Sequence, residues 1–202
     1  MSEILNRKNF IYIFKHLISV LIFVLGIEVL KYLFNVFEPE SNRVKDEFIS
    51  NFIFSFFGVI VLSPIIEEMV FRLPLKKNGL YLISVFFSLI FLISSSYLFV
   101  KIILSLFVGN TIFHQSYSKS VLVYWILVGL SIFAFVSIHF ENFDSNDFKN
   151  LDFINISILF LPHLFLAVIL TKIRLQTCFT NAVVFHSLYN LIILSLALLF
   201  NF

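Results

Sequence analysis

Long apolar runs separated by short polar breaks account for most of the chain. The runs cover residues 11–37, 48–75, 80–96, 97–113, 120–140, 153–171 and 180–200. Most are close to the roughly 20 residues a helix needs to cross a bilayer. A backbone surrounded by lipid must satisfy its own hydrogen bonds, so all seven are expected to be helices. Ser94, Ser95 and Ser96 suggest a turn or cap between the third and fourth runs. The competing reading of that region is one long tilted helix over residues 80–113.

Composition sharpens this pattern into a class. With 60% hydrophobic and 13% charged residues and a mean hydropathy of +1.01, the chain is neither an ordinary soluble domain nor a disordered one. Its 202 residues have room for about seven crossings and short loops, and none for a second, soluble domain. The fold class expected is therefore all-α: one integral membrane domain over residues 1–202, a polytopic bundle of about seven spans.

Charge then orients the bundle. With the amino terminus inside, the cytoplasmic set holds Arg7, Lys8, Lys76, Lys77, Lys119, Lys172 and Arg174. The outer set holds Arg43, Lys45 and Lys149 beside the acids Glu38, Glu40, Asp46, Glu47, Glu141, Asp144, Asp147 and Asp152. This excess of inner cations fits seven spans and a cytoplasmic amino terminus. The first run carries Lys15, Glu28 and Lys31 and has no small-x-small cleavage site, so it reads as a retained span. A net charge of +2 offers no basic face to nucleic acid, and the single cysteine, Cys178, reads as a packing residue.

A few polar residues lie where lipid penalises them. The second run reads Ser63-Pro64-Ile65-Ile66-Glu67-Glu68-Met69-Val70-Phe71-Arg72. A charge at bilayer depth costs roughly 2.5–3.5 kcal/mol on insertion scales, and Glu67 sits too far from the run's end for its short side chain to escape. Glu68 and Arg72 are four apart and can pair on one helix face. Glu67 points about 100° away, without that partner, into the bundle. Pro64 removes one backbone hydrogen bond just upstream and can bend the helix around a cavity. His139 ends the fifth run, and His186 and Asn190 share a face of the last.

A carboxylate and an imidazole can deprotonate a water while a second imidazole and an amide donate to a developing oxyanion. That is equipment for peptide hydrolysis without a covalent intermediate. Two histidines and a glutamate are also zinc-type ligands, and spacing leaves a catalytic divalent metal open beside the metal-free, cofactor-free reading. Three other intramembrane protease designs are not matched: the chain has no His-Glu-x-x-His helix, no Gly-x-Ser-x-Gly elbow and no Gly-x-Gly-Asp pair.

These residues resemble the motifs of the membrane-embedded CAAX protease and bacteriocin-processing family, also called CPBP or Abi. Its Glu-Glu-x-x-x-Arg motif is matched by Glu67, Glu68 and Arg72, its Phe-x-x-x-His motif by Phe135 and His139, and its histidine-to-asparagine motif by His186 and Asn190. Phe-x-x-x-His alone says little in a chain with 29 phenylalanines, but the three stand in the family's order. The resemblance covers residues 48–201, leaving 1–47 as an additional amino-terminal span. It implies that Glu67 and His139 activate the water, that His186 and Asn190 form the oxyanion hole, and that Glu68 and Arg72 support them. It further implies an intramembrane endopeptidase of a bacterial plasma membrane, with a peptide or protein as substrate. The stretch from Glu67 to His139 is longer than the family's by about two spans. Counting then places Glu67 nearer the inner side and His139 nearer the outer, so the two must meet in a wide cavity at mid-membrane depth.

The remaining polar residues have plainer readings. His16 and His114 are expected at the interface, His163 to follow Pro162 with a locally bonded ring, Glu28 and Lys31 to pair, Lys101 to snorkel and Asn142 to cap a loop. Two further functions would use the same polar cluster: a non-catalytic membrane scaffold or immunity protein, and a small proton-coupled transporter.

Overall fold

A computed structural model describes residues 7–34, 51–76, 79–117, 119–143 and 151–200. The residues expected in outer loops, Glu38, Glu40, Arg43, Lys45, Asp46, Glu47, Asp144, Asp147 and Lys149, and Lys77, expected on the inner side, lie outside them. So do the outer end of the first expected span and the start of the second. Among the described residues the structure is helical apart from short connections, without a strand.

Helix α1 runs over Arg7–Phe34. The second rod has three sections: α2 (Phe52–Phe57), a π-turn (Gly58–Leu62) and α3 (Ser63–Phe71), followed by a 3-10 turn at Leu73–Leu75. Then come α4 (Tyr81–Ser94), α5 (Leu98–Ser116), α6 (Val121–Ile138) with a 3-10 turn at His139–Asn142, α7 (Phe153–Gln176) and α8 (Phe179–Phe200). Six of these segments are long and apolar enough to cross a membrane, which fits an integral membrane protein. The seventh, α4, has 14 residues. At 1.5 Å per residue it is about 21 Å long, short of a hydrocarbon core of about 30 Å.

Ser95–Tyr97 does break α4 from α5, so residues 80–113 form two helices. The break is held from outside: the Glu141 carboxylate accepts from the Ser95 and Ser96 hydroxyls at 2.5 and 2.6 Å and from the Ser96 and Tyr97 backbone N–H groups at 3.1 and 3.4 Å. An acid that reads from sequence as an outer-loop charge thus holds the two residues that lead into α5.

Helices adjacent in sequence from α4 to α8 pack side by side. Helix α3 packs on α4, α6 and α8, while α1 covers α7 and α8. Lipid is as apolar as a leucine side chain, so close packing and hydrogen bonds must hold such a bundle together. Phe71, fully buried on α3, supplies the first: its ring centroid lies 5.8 Å from those of Phe107 and Phe135 and 6.5 Å from that of Phe91.

Helix α3 stops inside this packing, and a helix end leaves its last carbonyls without intrahelical donors. Here four carbonyls at the end of α3 and in the 3-10 turn after it accept from side chains of four different helices. Val70 O accepts from Ser84 Oγ of α4 at 2.5 Å, and Phe71 O from Ser131 Oγ of α6 at 2.5 Å. Arg72 O accepts from Arg174 Nε of α7 at 3.1 Å, and Pro74 O from Gln115 Nε2 of α5 at 2.7 Å. The end of the Glu-Glu-x-x-x-Arg helix is therefore set in a polar socket.

Candidate active site

The socket sets Glu67 and His139 at a similar level of the bundle. Phe71 sits opposite Ser131, which is in the middle of α6, so one turn back along α3 Glu67 lies beside the Phe135–His139 turn. The carboxylate of Glu67 acts electrostatically on the His139 ring. The wide cavity expected at this place is largely filled: Glu68, Arg72 and Phe135 have no accessible surface, and His186 has 2%. His139 and Asn190, which are half-buried, form the more open side.

Glu68 and Arg72 pair within the helix as their spacing requires, Arg72 Nε lying 3.8 Å from Glu68 Oε2. The Arg72 guanidinium also donates to Ala167 O at 3.4 Å and lies over the Phe135 ring, 4.1 Å from its centroid. This contact gives the phenylalanine of Phe-x-x-x-His a physical role, as a π-face for a buried cation. Glu67 is free of Arg72 but does have partners. The Ser63 hydroxyl, one turn earlier, donates to Glu67 Oε1, and His186 Nε2 lies 3.8 Å from Oε2.

His186 on α8 stands between the two carboxylates. Its Nδ1 is 3.1 Å from Glu68 Oε1 while its Nε2 faces Glu67. Asn190, one turn on, sends its amide elsewhere: Nδ2 donates to Val59 O of the π-turn at 2.8 Å. His139 caps α6, with Nδ1 2.8 Å from Phe135 O. A carbonyl only accepts, so that nitrogen carries the hydrogen and Nε2 holds the lone pair.

Three participants are not assigned to the site by the sequence. Ser63 could have been found as the residue four before Glu67, on the same helix face. Arg174 reads from sequence as an inner cation, yet it has 6% of its surface exposed and caps the end of α3. His163 is expected to bond locally, but its ring centroid lies 4.3 Å from that of His139. The stacking of Phe160 on Phe140, centroids 3.7 Å apart and 5° from parallel, fixes those turns of α7 and α6 at one level.

Other expectations divide. Glu28 and Lys31 pair at 2.8 Å. His16 and His114, expected at the interface, are buried, with 8% and 6% exposure, against Tyr12 and Tyr124. Asn142 closes the 3-10 turn after His139. Among the described residues no three His, Cys, Asp or Glu side chains are placed to share a metal ion.

The site thus defines a class by geometry alone: a helical bundle of membrane type, with a buried glutamate, histidine and arginine cluster drawn from α3, α6 and α8. No family model, no curated protein and no solved structure matches the chain.

Proposed function

We propose that the chain is an integral membrane endopeptidase of the CAAX-protease and bacteriocin-processing kind, which hydrolyses a peptide bond of a protein or peptide at this cluster. The observation that carries the reading is the grouping of Glu67, Glu68, Arg72, His139 and His186 from three helices, with Asn190 one turn along from His186. An interior made only for packing has no use for two carboxylates a residue apart, and lipid penalises each of them.

Both ring nitrogens of His186 face carboxylates, so an imidazolium satisfies both. The cluster then holds two anions, Glu67 and Glu68, and two cations, Arg72 and His186. Glu68, itself paired with Arg72, holds the ring by its Nδ1 edge, so the Nε2 hydrogen can turn from Glu67 to an oxyanion. The bases are Glu67 and His139 Nε2. One of them takes a proton as the water O–H bond breaks and the new oxygen–carbon bond forms, and the same proton passes to the leaving amine as the peptide bond breaks. No covalent enzyme intermediate and no cofactor enters these steps. The amino terminus lies on the cytoplasmic side of a bacterial plasma membrane, and the substrate reaches the cluster from the lipid phase.

Mass spectrometry of protein amino termini in membranes from cells carrying the wild type, Glu67→Ala or His139→Ala tests this whatever the substrate is. A set of new termini present with the wild type should disappear with both variants, while insertion and helicity stay unchanged. Unaltered termini with either variant refute the assignment.

A further inference from the structure

The π-turn leaves one backbone group that the helix cannot satisfy. Ser63 N–H donates to Gly58 O, the i+5 register of a π-turn. In that register the next carbonyl, Val59 O, awaits the N–H of residue 64, and residue 64 is proline, which has none. Inside an apolar bundle an unpaired carbonyl is far more costly than in water. Asn190 Nδ2 lies 2.8 Å from this oxygen and supplies the donor that Pro64 lacks. Ser63, whose N–H closes the turn, is also the residue whose hydroxyl donates to Glu67. A single turn therefore joins Asn190 on α8 to the carboxylate on α3.

We propose that Asn190 is a positioning residue, which caps the Val59 carbonyl left open by Pro64 and so holds the π-turn in the register that aims Ser63 and Glu67 at His186. A π-turn carries one more residue than the α-helical turn it replaces. If the turn relaxed, everything before Ser63 would rotate by about 100° relative to Glu67. Asn190 then acts on the reaction through the backbone of the second rod, and its first amide hydrogen is committed before any substrate arrives.

A double-mutant cycle in the full chain separates this role from direct contact with a substrate. Asn190→Leu keeps the approximate size and removes the donor, and Pro64→Ala restores the missing N–H. In detergent micelles titrated with SDS and followed by circular dichroism, N190L should lower the folded-to-unfolded ratio about tenfold or more in the wild-type background. In the P64A background the loss should be under about threefold. An equal loss in both backgrounds overturns the proposal. Should N190L not fold, the double variant decides: its folding supports the cap and its failure refutes it.

The cleavage arm alone rests on the protease reading. Termini lost with N190L should return in P64A/N190L, whereas an amide needed at the oxyanion would leave them lost, which overturns the positioning role. If the wild type yields no termini that Glu67→Ala removes, the protease reading fails while the stability cycle still decides the role of Asn190.

Discussion

Replacing Arg72 by methionine removes the fully buried cation of the cluster and keeps much of its length. At 3.8 Å and an effective dielectric constant of about 20, its attraction to Glu68 is about 4 kcal/mol. Much of that offsets the desolvation of both charges, so the pair's net worth is far smaller. The variant, however, strands Glu68 beside Glu67 without the guanidinium that pairs with it, and an uncompensated buried charge costs about 3–5 kcal/mol. The contact with the Phe135 ring, 4.1 Å away, adds about 1 kcal/mol. Unfolding by SDS in micelles, followed by circular dichroism, should therefore show R72M less stable by about 3–5 kcal/mol. The double variant E68Q/R72M leaves Glu67 and His186 balanced and should be more stable than R72M by about 1 kcal/mol or more. A double variant that loses the sum of the two single losses would refute the charge count.

Other outcomes follow from single contacts. Ser131→Ala leaves Phe71 O without its donor and should cost about 1–3 kcal/mol in the same unfolding assay, with Ser131→Thr recovering most of it. Glu141→Ala frees the Ser95–Tyr97 break and should cost about 1–2 kcal/mol, with faster amide hydrogen exchange at Ser96 and Tyr97. Phe160→Ala removes the stacking partner of Phe140 and should cost about 3 kcal/mol or more, and cleavage should fall with it as His163 and His139 lose their common level.

Among the described residues the apolar runs of the sequence are enough to locate the long helices, though not to decide between one helix and two over 80–113, because a backbone in lipid must satisfy its own hydrogen bonds. Short-range polar relations are legible for the same reason: Glu68 with Arg72 and Glu28 with Lys31 lie at fixed helical spacings. The socket of α3 is not, since Ser84, Gln115, Ser131 and Arg174 come from four helices, and spacing within a chain says nothing about which helices meet. The π-turn is equally hidden. Gly-Val-Ile-Val-Leu is apolar in any register, and only Pro64 after it hints at a defect in the hydrogen-bond ladder. The burial of Arg174 is not legible either, because an arginine near a span end usually snorkels, and here the Arg72 carbonyl holds it inside.

The central claim is that Glu67 activates water for peptide hydrolysis. Wild-type and Glu67→Gln protein, each reconstituted into vesicles with membrane proteins from cells lacking the chain, can be incubated in water enriched in oxygen-18 and the products read by mass spectrometry. The account predicts paired new termini in the wild type, each new carboxylate carrying the heavy oxygen, and none of them in Glu67→Gln of equal helicity. The same labelled products from both proteins, or none from either, would contradict it.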